Sequence, residues 1–139
     1  MLLKKFSVTN YRSITNATVS LGDFTVLVGK NNEGKSNLLR AIDTSMSIIA
    51  SINYLKPTRN LYDWERDFPI QHQKRTRGLD SIFRLQFELN EEEKKEFKKK
   101  TRLNGNEIID IVLKIGKTNR PKLSVPKRGS NTYNSKASQ

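Results

Sequence analysis

Gly29, Gly34, Lys35 and Ser36 fall at the spacing G-x-x-x-x-G-K-S in the segment Gly29-Lys30-Asn31-Asn32-Glu33-Gly34-Lys35-Ser36. Those residue types at that spacing can hold a phosphate chain. Gly29 permits a sharp exit from a preceding strand, and Gly34 lets the backbone approach an anion where a side chain would collide. Backbone N–H groups from about Asn32 to Ser36 then converge as an anion nest, reinforced by the positive end of the following helix. Lys35 supplies a point charge for the β- and γ-phosphates, and the Ser36 hydroxyl supplies an oxygen ligand for a Mg²⁺ that bridges them. Asn37 adds a backbone N–H toward the α-phosphate. The ligand these residues predict is a nucleoside triphosphate, ATP with Mg²⁺, with Lys35 as the catalytic group of the cradle.

Such a loop does not hydrolyse its ligand unaided, because a metal-bound acid and a group that orients the attacking water are also needed. Asp110 has only Ile108-Ile109 before it, which is too short for the apolar strand that normally carries that acid. Leu123-Ser124 is followed by Val-Pro rather than by the two glycines of a signature motif. The loop predicts binding, and turnover requires groups these segments do not supply.

The elements around the loop agree with it. Phe24-Thr25-Val26-Leu27-Val28 is a nearly continuous apolar run, as in a buried strand. From Gly34 to about Asn53, Leu38, Leu39, Ala41, Ile42, Met46, Ile49 and Ile52 follow helical spacing with one apolar face. Alternation predicts strands at 4–10, 17–21, 82–89 and 109–115, and Lys122 to Val125 is placed to pair back in a hairpin. Tyr11-Arg12-Ser13 and Asn104-Gly105-Asn106 read as turns. Residues 57–80 show no sustained period and are expected to be a connector anchored by Tyr62, Trp64 and Phe68, with the Trp64 and Phe68 rings read as core rather than base-stacking groups. Asn90 and Glu93 have capping-box spacing, and Glu91–Glu93 before Lys94–Lys100 suits the helix dipole, so that charge run has a structural explanation.

With 139 residues the chain fits one domain of ordinary size. It has no cysteine, which excludes disulfides and thiolate metal sites, and one histidine, His72, which excludes a His-rich metal site. No apolar run approaches the roughly 20 residues needed to cross a bilayer, and the N-terminus lacks a signal-peptide core. A cytoplasmic protein without a membrane partner is expected. The net charge of +12 divides as +5 over residues 1–90, with 13 basic and 8 acidic, and +7 over residues 91–139, with 13 basic and 6 acidic. That balance attracts polyanions such as DNA, because each neutralised phosphate releases counterions; on charge alone a solvated lysine-rich surface reads equally well. Residues 1–126 are expected to form the nucleotide-binding lobe and 127–139, rich in Lys, Arg, Ser and Asn, a flexible basic tail.

The segment Lys5-Phe6-Ser7-Val8-Thr9-Asn10-Tyr11-Arg12-Ser13-Ile14, followed by the phosphate loop and Asn37-Leu38-Leu39-Arg40-Ala41-Ile42, resembles the N-terminal ATPase region of the SMC/RecF/OLD group of ABC-type ATPases. Motif-level similarity covers about residues 4–45, and the remainder through 126 looks like the OLD-type proteins less specifically. The resemblance implies an α/β fold with α+β character at the periphery: an ABC-type P-loop lobe whose mixed sheet carries the P-loop helix and an antiparallel β subdomain. It also implies an incomplete site, with the signature motif and metal-binding acid supplied much later in such chains. ATP would join two heads in a homodimer, with Asn32 near the opposed head and Arg12 on phosphate or nucleotide; the alternative for Arg12 is an exposed turn arginine. One of Gln71, Gln73 and Gln86 would assist at Mg²⁺. DNA processing, repair or anti-phage defence, with a nuclease partner or domain, would be the setting. Two other readings stand beside it: a short regulator that binds nucleotide without hydrolysing it, and a basic nucleic-acid-binding module.

Overall fold

Two alternating segments near the start of the chain, β1 (Leu2–Tyr11) and β2 (Ile14–Ser20), form a hairpin in the computed structural model, closed by Arg12 and Ser13. The model describes residues 2–22, 33–52, 61–101, 108–126 and 132–134. The apolar run Phe24–Val28, the first part of the phosphate loop, Gly29–Asn32, and the turn at Asn104–Asn106 lie outside them.

Helix α1 (Glu33–Ile52) follows, then a short helix α2 (Trp64–Asp67) and a 3-10 turn (Ile70–His72). Next come β3 (Ser81–Glu88), helix α3 (Glu91–Thr101), β4 (Ile108–Ile115), β5 (Pro121–Pro126) and β6 (Thr132–Asn134). The strands form a six-stranded sheet in the order β2-β1-β3-β4-β5-β6. Every pairing among the described residues is antiparallel. Within the segment expected to be a flexible tail, Thr132–Asn134 pairs with β5, an edge pairing that composition alone does not announce.

Register places the apolar side chains of three strands on one face. Phe6 opposes Leu85, Val8 opposes Phe83, and Phe83 and Leu85 oppose Leu113 and Ile111. Phe6, Val8, Phe83, Leu85 and Leu113 are fully buried. Because side chains alternate along a strand, the residues between them, Ser7, Arg84 and Lys114, belong to the opposite face.

The buried side of α1 differs from the expected apolar face. Its buried residues are Asn37, Ala41, Ser45, Ile48 and Ser51, while Leu39 and Met46 are 57% and 40% exposed. Small residues predominate along this inner stripe, and α1 contacts β1 and β2. The buried hydroxyls are satisfied within the helix, Ser45 donating to the Ile42 carbonyl at 2.9 Å and Ser51 to that of Ile48 at 2.8 Å. Leu38, Ile42 and Ile49 pack at the margin of the core.

The connector is more ordered than its lack of periodicity suggests. Asp63 caps α2, accepting from the Glu65 N–H at 3.0 Å. Trp64 stacks on Phe68 with ring centroids 5.0 Å apart and donates its indole N–H to the Leu79 carbonyl at 2.8 Å. These rings are core anchors, as expected. The α3 capping box is present: the Glu93 N–H donates to Asn90 Oδ1 at 2.8 Å and the Asn90 N–H to Glu93 Oε2 at 3.0 Å.

Candidate functional site

The second half of the phosphate motif occupies the first turn of α1. Glu33 begins the helix, Gly34 and Lys35 are partly buried, and Ser36 is exposed. N–H groups in a first helical turn point out of the helix at the positive end of its dipole, the geometry that suits an anion.

The helix start is fastened to the β1–β2 turn. Asn37, buried in the interface, donates from Nδ2 to Ser13 Oγ at 2.7 Å, and one turn and more along, the hydroxyls of Tyr11 and Thr44 meet at 3.3 Å. Hence Arg12 and Ser13, separated from the motif by about twenty residues of sequence, are brought beside it.

Arg12 adopts a positive φ of 51°, a conformation an arginine takes at some cost. Its backbone N–H donates to the Asp67 carbonyl and its Nε to Asp67 Oδ1 at 3.0 Å. Asp67 is fully buried and also receives Arg66, through Nε at 3.1 Å and Nη2 at 2.9 Å, and the Asp63 N–H at 3.0 Å. The hydrogen bond to Asp67 raises the Arg66 guanidinium above its ordinary value. Asp67 was not among the residues expected to matter. The available signal was an acid set between two aromatic anchors, Trp64 and Phe68, in an otherwise polar connector.

The three glutamines separate. Gln73 donates to the carbonyls of Glu65 at 3.0 Å and Phe68 at 3.1 Å, holding the end of α2. Gln86 is bonded across the sheet to Asp110 at 3.0 Å. Gln71 is exposed in the 3-10 turn. Among the described residues no group of three or more His, Cys, Asp or Glu side chains could hold a metal. Ser36 offers an exposed hydroxyl at the helix start, which suits a Mg²⁺ held mainly by water and substrate phosphates. No helix among the described residues is long and apolar enough to cross a membrane.

The model of the AAA ATPase domain family matches residues 1–138. The chain belongs to this family. Among solved structures it is similar to one from work on the structural biochemistry of ATP-driven dimerization and DNA-stimulated activation of SMC ATPases, with a TM-score of 0.58 and 15% identity over 94% of this chain and 73% of that one. At that identity the likeness shows the fold, that of an SMC-type P-loop ATPase lobe. No curated protein matches the chain. Family and fold together make this an ATPase nucleotide-binding lobe, in agreement with the expected α/β P-loop class and with the SMC/RecF/OLD resemblance.

Proposed function

We propose that the chain binds ATP with Mg²⁺ at Gly29–Ser36 and belongs to an OLD-like or RecF-like ATPase that acts on DNA, in processing, repair or anti-phage defence. The observation that carries this reading is the start of α1 within the motif, with Gly34, Lys35 and Ser36 in its first turn and Asn37 locked to Ser13 at 2.7 Å. In this reading Lys35 neutralises the β- and γ-phosphates, Ser36 ligates Mg²⁺, and Arg12 contacts phosphate from the neighbouring turn. Nucleotide joins two such lobes, as the SMC ATPases of the similar structure dimerise with ATP. Turnover draws on a signature motif and a metal-binding acid from elsewhere.

Titration of the chain with a fluorescent ATP analogue tests this. Binding is expected with Mg²⁺ and is lost in Lys35→Ala with the fold intact by circular dichroism. An unchanged affinity in Lys35→Ala would remove the loop from the account. A size measurement with and without ATP tests pairing of lobes.

DNA contact is supported by the sheet face opposite the core. Lys114 and Lys122 are directly opposed on β4 and β5 and both exposed, with exposed Arg84 diagonal to Lys114 on β3. Like charges directly opposed are unfavourable in a free sheet and become favourable over a phosphate backbone. The same face supports a second reading, a nucleic-acid-binding module in which the loop takes no nucleotide. The ATP titration decides between them.

A further inference from the structure

Resting on the reading of Arg12 as a phosphate contact, we infer that Asp67 is a positioning residue that sets the Arg12 guanidinium toward the nucleotide. Two arginines meet this buried carboxylate in different ways. Arg66 engages it as a fork, Nε and Nη2 on the two oxygens. Arg12 reaches it through Nε alone, so the terminal nitrogens of its planar head are not spent on Asp67. A guanidinium can do this because its donors are arranged in a rigid fork.

The pose is fixed at both ends of the residue. At the main chain, the positive φ of 51° is held by the hydrogen bond from the Arg12 N–H to the Asp67 carbonyl. At the side chain, the Nε bond fixes the plane of the head, and the Tyr11 ring lies 5.7 Å from its central carbon. The next residue, Ser13, is bonded to Asn37 in the first turns of α1, so the same short turn is registered to the helix that begins at the motif. Arg12 is 27% exposed and Asp67 is not exposed at all. The buried partner orders a cation whose side chain still meets solvent. Ordering that side chain in advance removes an entropy cost from ligand binding.

The test is equilibrium binding of a fluorescent ATP analogue with Mg²⁺ to the full chain, with thermal unfolding read on each variant. Asp67→Asn weakens binding roughly three- to tenfold, Arg12→Ala weakens it at least as much, and the double variant binds no more weakly than Arg12→Ala. Arg12→Lys also loses affinity although its charge is kept, because a lysine has one charged nitrogen to give either to Asp67 or to phosphate. Arg66→Met lowers stability and leaves affinity at the wild-type value, which separates positioning from general loosening. Wild-type affinity in Asp67→Asn with loss in Arg12→Ala overturns the positioning role alone, as do losses that multiply in the double variant. Wild-type affinity in Arg12→Ala overturns the contact itself. Should Asp67→Asn not fold, Arg12→Lys decides: loss supports the inference and wild-type affinity overturns it.

Discussion

Replacing Ser81 should destabilise the chain more than replacing the larger Tyr62 hydroxyl beside it, because of the direction in which their protons run. Ser81 is fully buried and its hydroxyl donates to the Asn10 carbonyl. Having spent its one proton there, Ser81 Oγ accepts from Tyr62, whose hydroxyl lies 2.6 Å away. Tyr62→Phe therefore removes a donor and leaves the Ser81 to Asn10 bond intact, at a cost of about 1 kcal/mol, the net worth of one hydrogen bond. Ser81→Ala strands the buried Tyr62 hydroxyl and deprives the Asn10 carbonyl, costing about 2 to 3 kcal/mol. The double variant should cost less than the two singles together, since once the phenol is gone Ser81→Ala deprives only the Asn10 carbonyl and strands no hydroxyl. Urea midpoints at constant slope measure all three. A Tyr62→Phe loss equal to or larger than that of Ser81→Ala, or simple additivity, would refute the proton order.

The same pair sets an alkaline limit. Burial pushes the Tyr62 phenol above its ordinary value, with the nearby acids Asp67 and Asp80 adding to the effect. The folded pKa is the higher one, so the unfolded chain releases this proton first. The stabilisation is fully present below about pH 10, the ordinary tyrosine value, and is lost as pH rises beyond it. The urea midpoint of the wild type should fall more steeply than that of Tyr62→Phe above that pH, and parallel curves would contradict the assignment.

Other outcomes follow from the remaining geometry. Ala41→Leu, at a fully buried point where α1 meets the sheet, should cost about 1–3 kcal/mol by overpacking, whereas Leu39→Ser on the exposed side should stay within about 0.5 kcal/mol; chemical denaturation compares them. Asn90→Ala removes the acceptor for the Glu93 N–H and should cost about 1 kcal/mol, seen as faster amide exchange in the first turn of α3. Lys114→Glu with Lys122→Glu should weaken duplex DNA binding and lower its logarithmic salt slope by about two, and an unchanged slope would place the nucleic acid elsewhere.

Particular elements show why some of this was legible in the sequence. β3 was plain because Phe83, Leu85 and Phe87 alternate with Arg84 and Gln86 over its length, and period two has one structural meaning. The α3 cap was plain because its hydrogen bonds join residues three apart. The face of α1 was not, because burial there follows size rather than hydrophobicity: Asn37, Ser45 and Ser51 go inward while Leu39 stays out. α2 has a single turn and owes its order to Trp64, Phe68 and Asp67, whose partners Leu79, Asn119 and Arg12 are distant in sequence. The phosphate motif was local and therefore readable. Asp67 was not, since its meaning depends on a turn more than fifty residues away.

The strand order has a consequence for the timing of folding. β1 lies between β2 and β3, and Phe6 is paired with Leu85, so the motif and α1 ride inside a long excursion closed only when β3 docks. Each doubling of such a loop adds only about 0.6 kcal/mol to its closure, but the closing contact is non-local and slow to form. During synthesis the β1–β2 hairpin can assemble early, yet Asp67 and then β3 must leave the ribosome before the turn holding Arg12 and the start of α1 are set. Nucleotide affinity should therefore arise late and in one step in the life of the nascent chain.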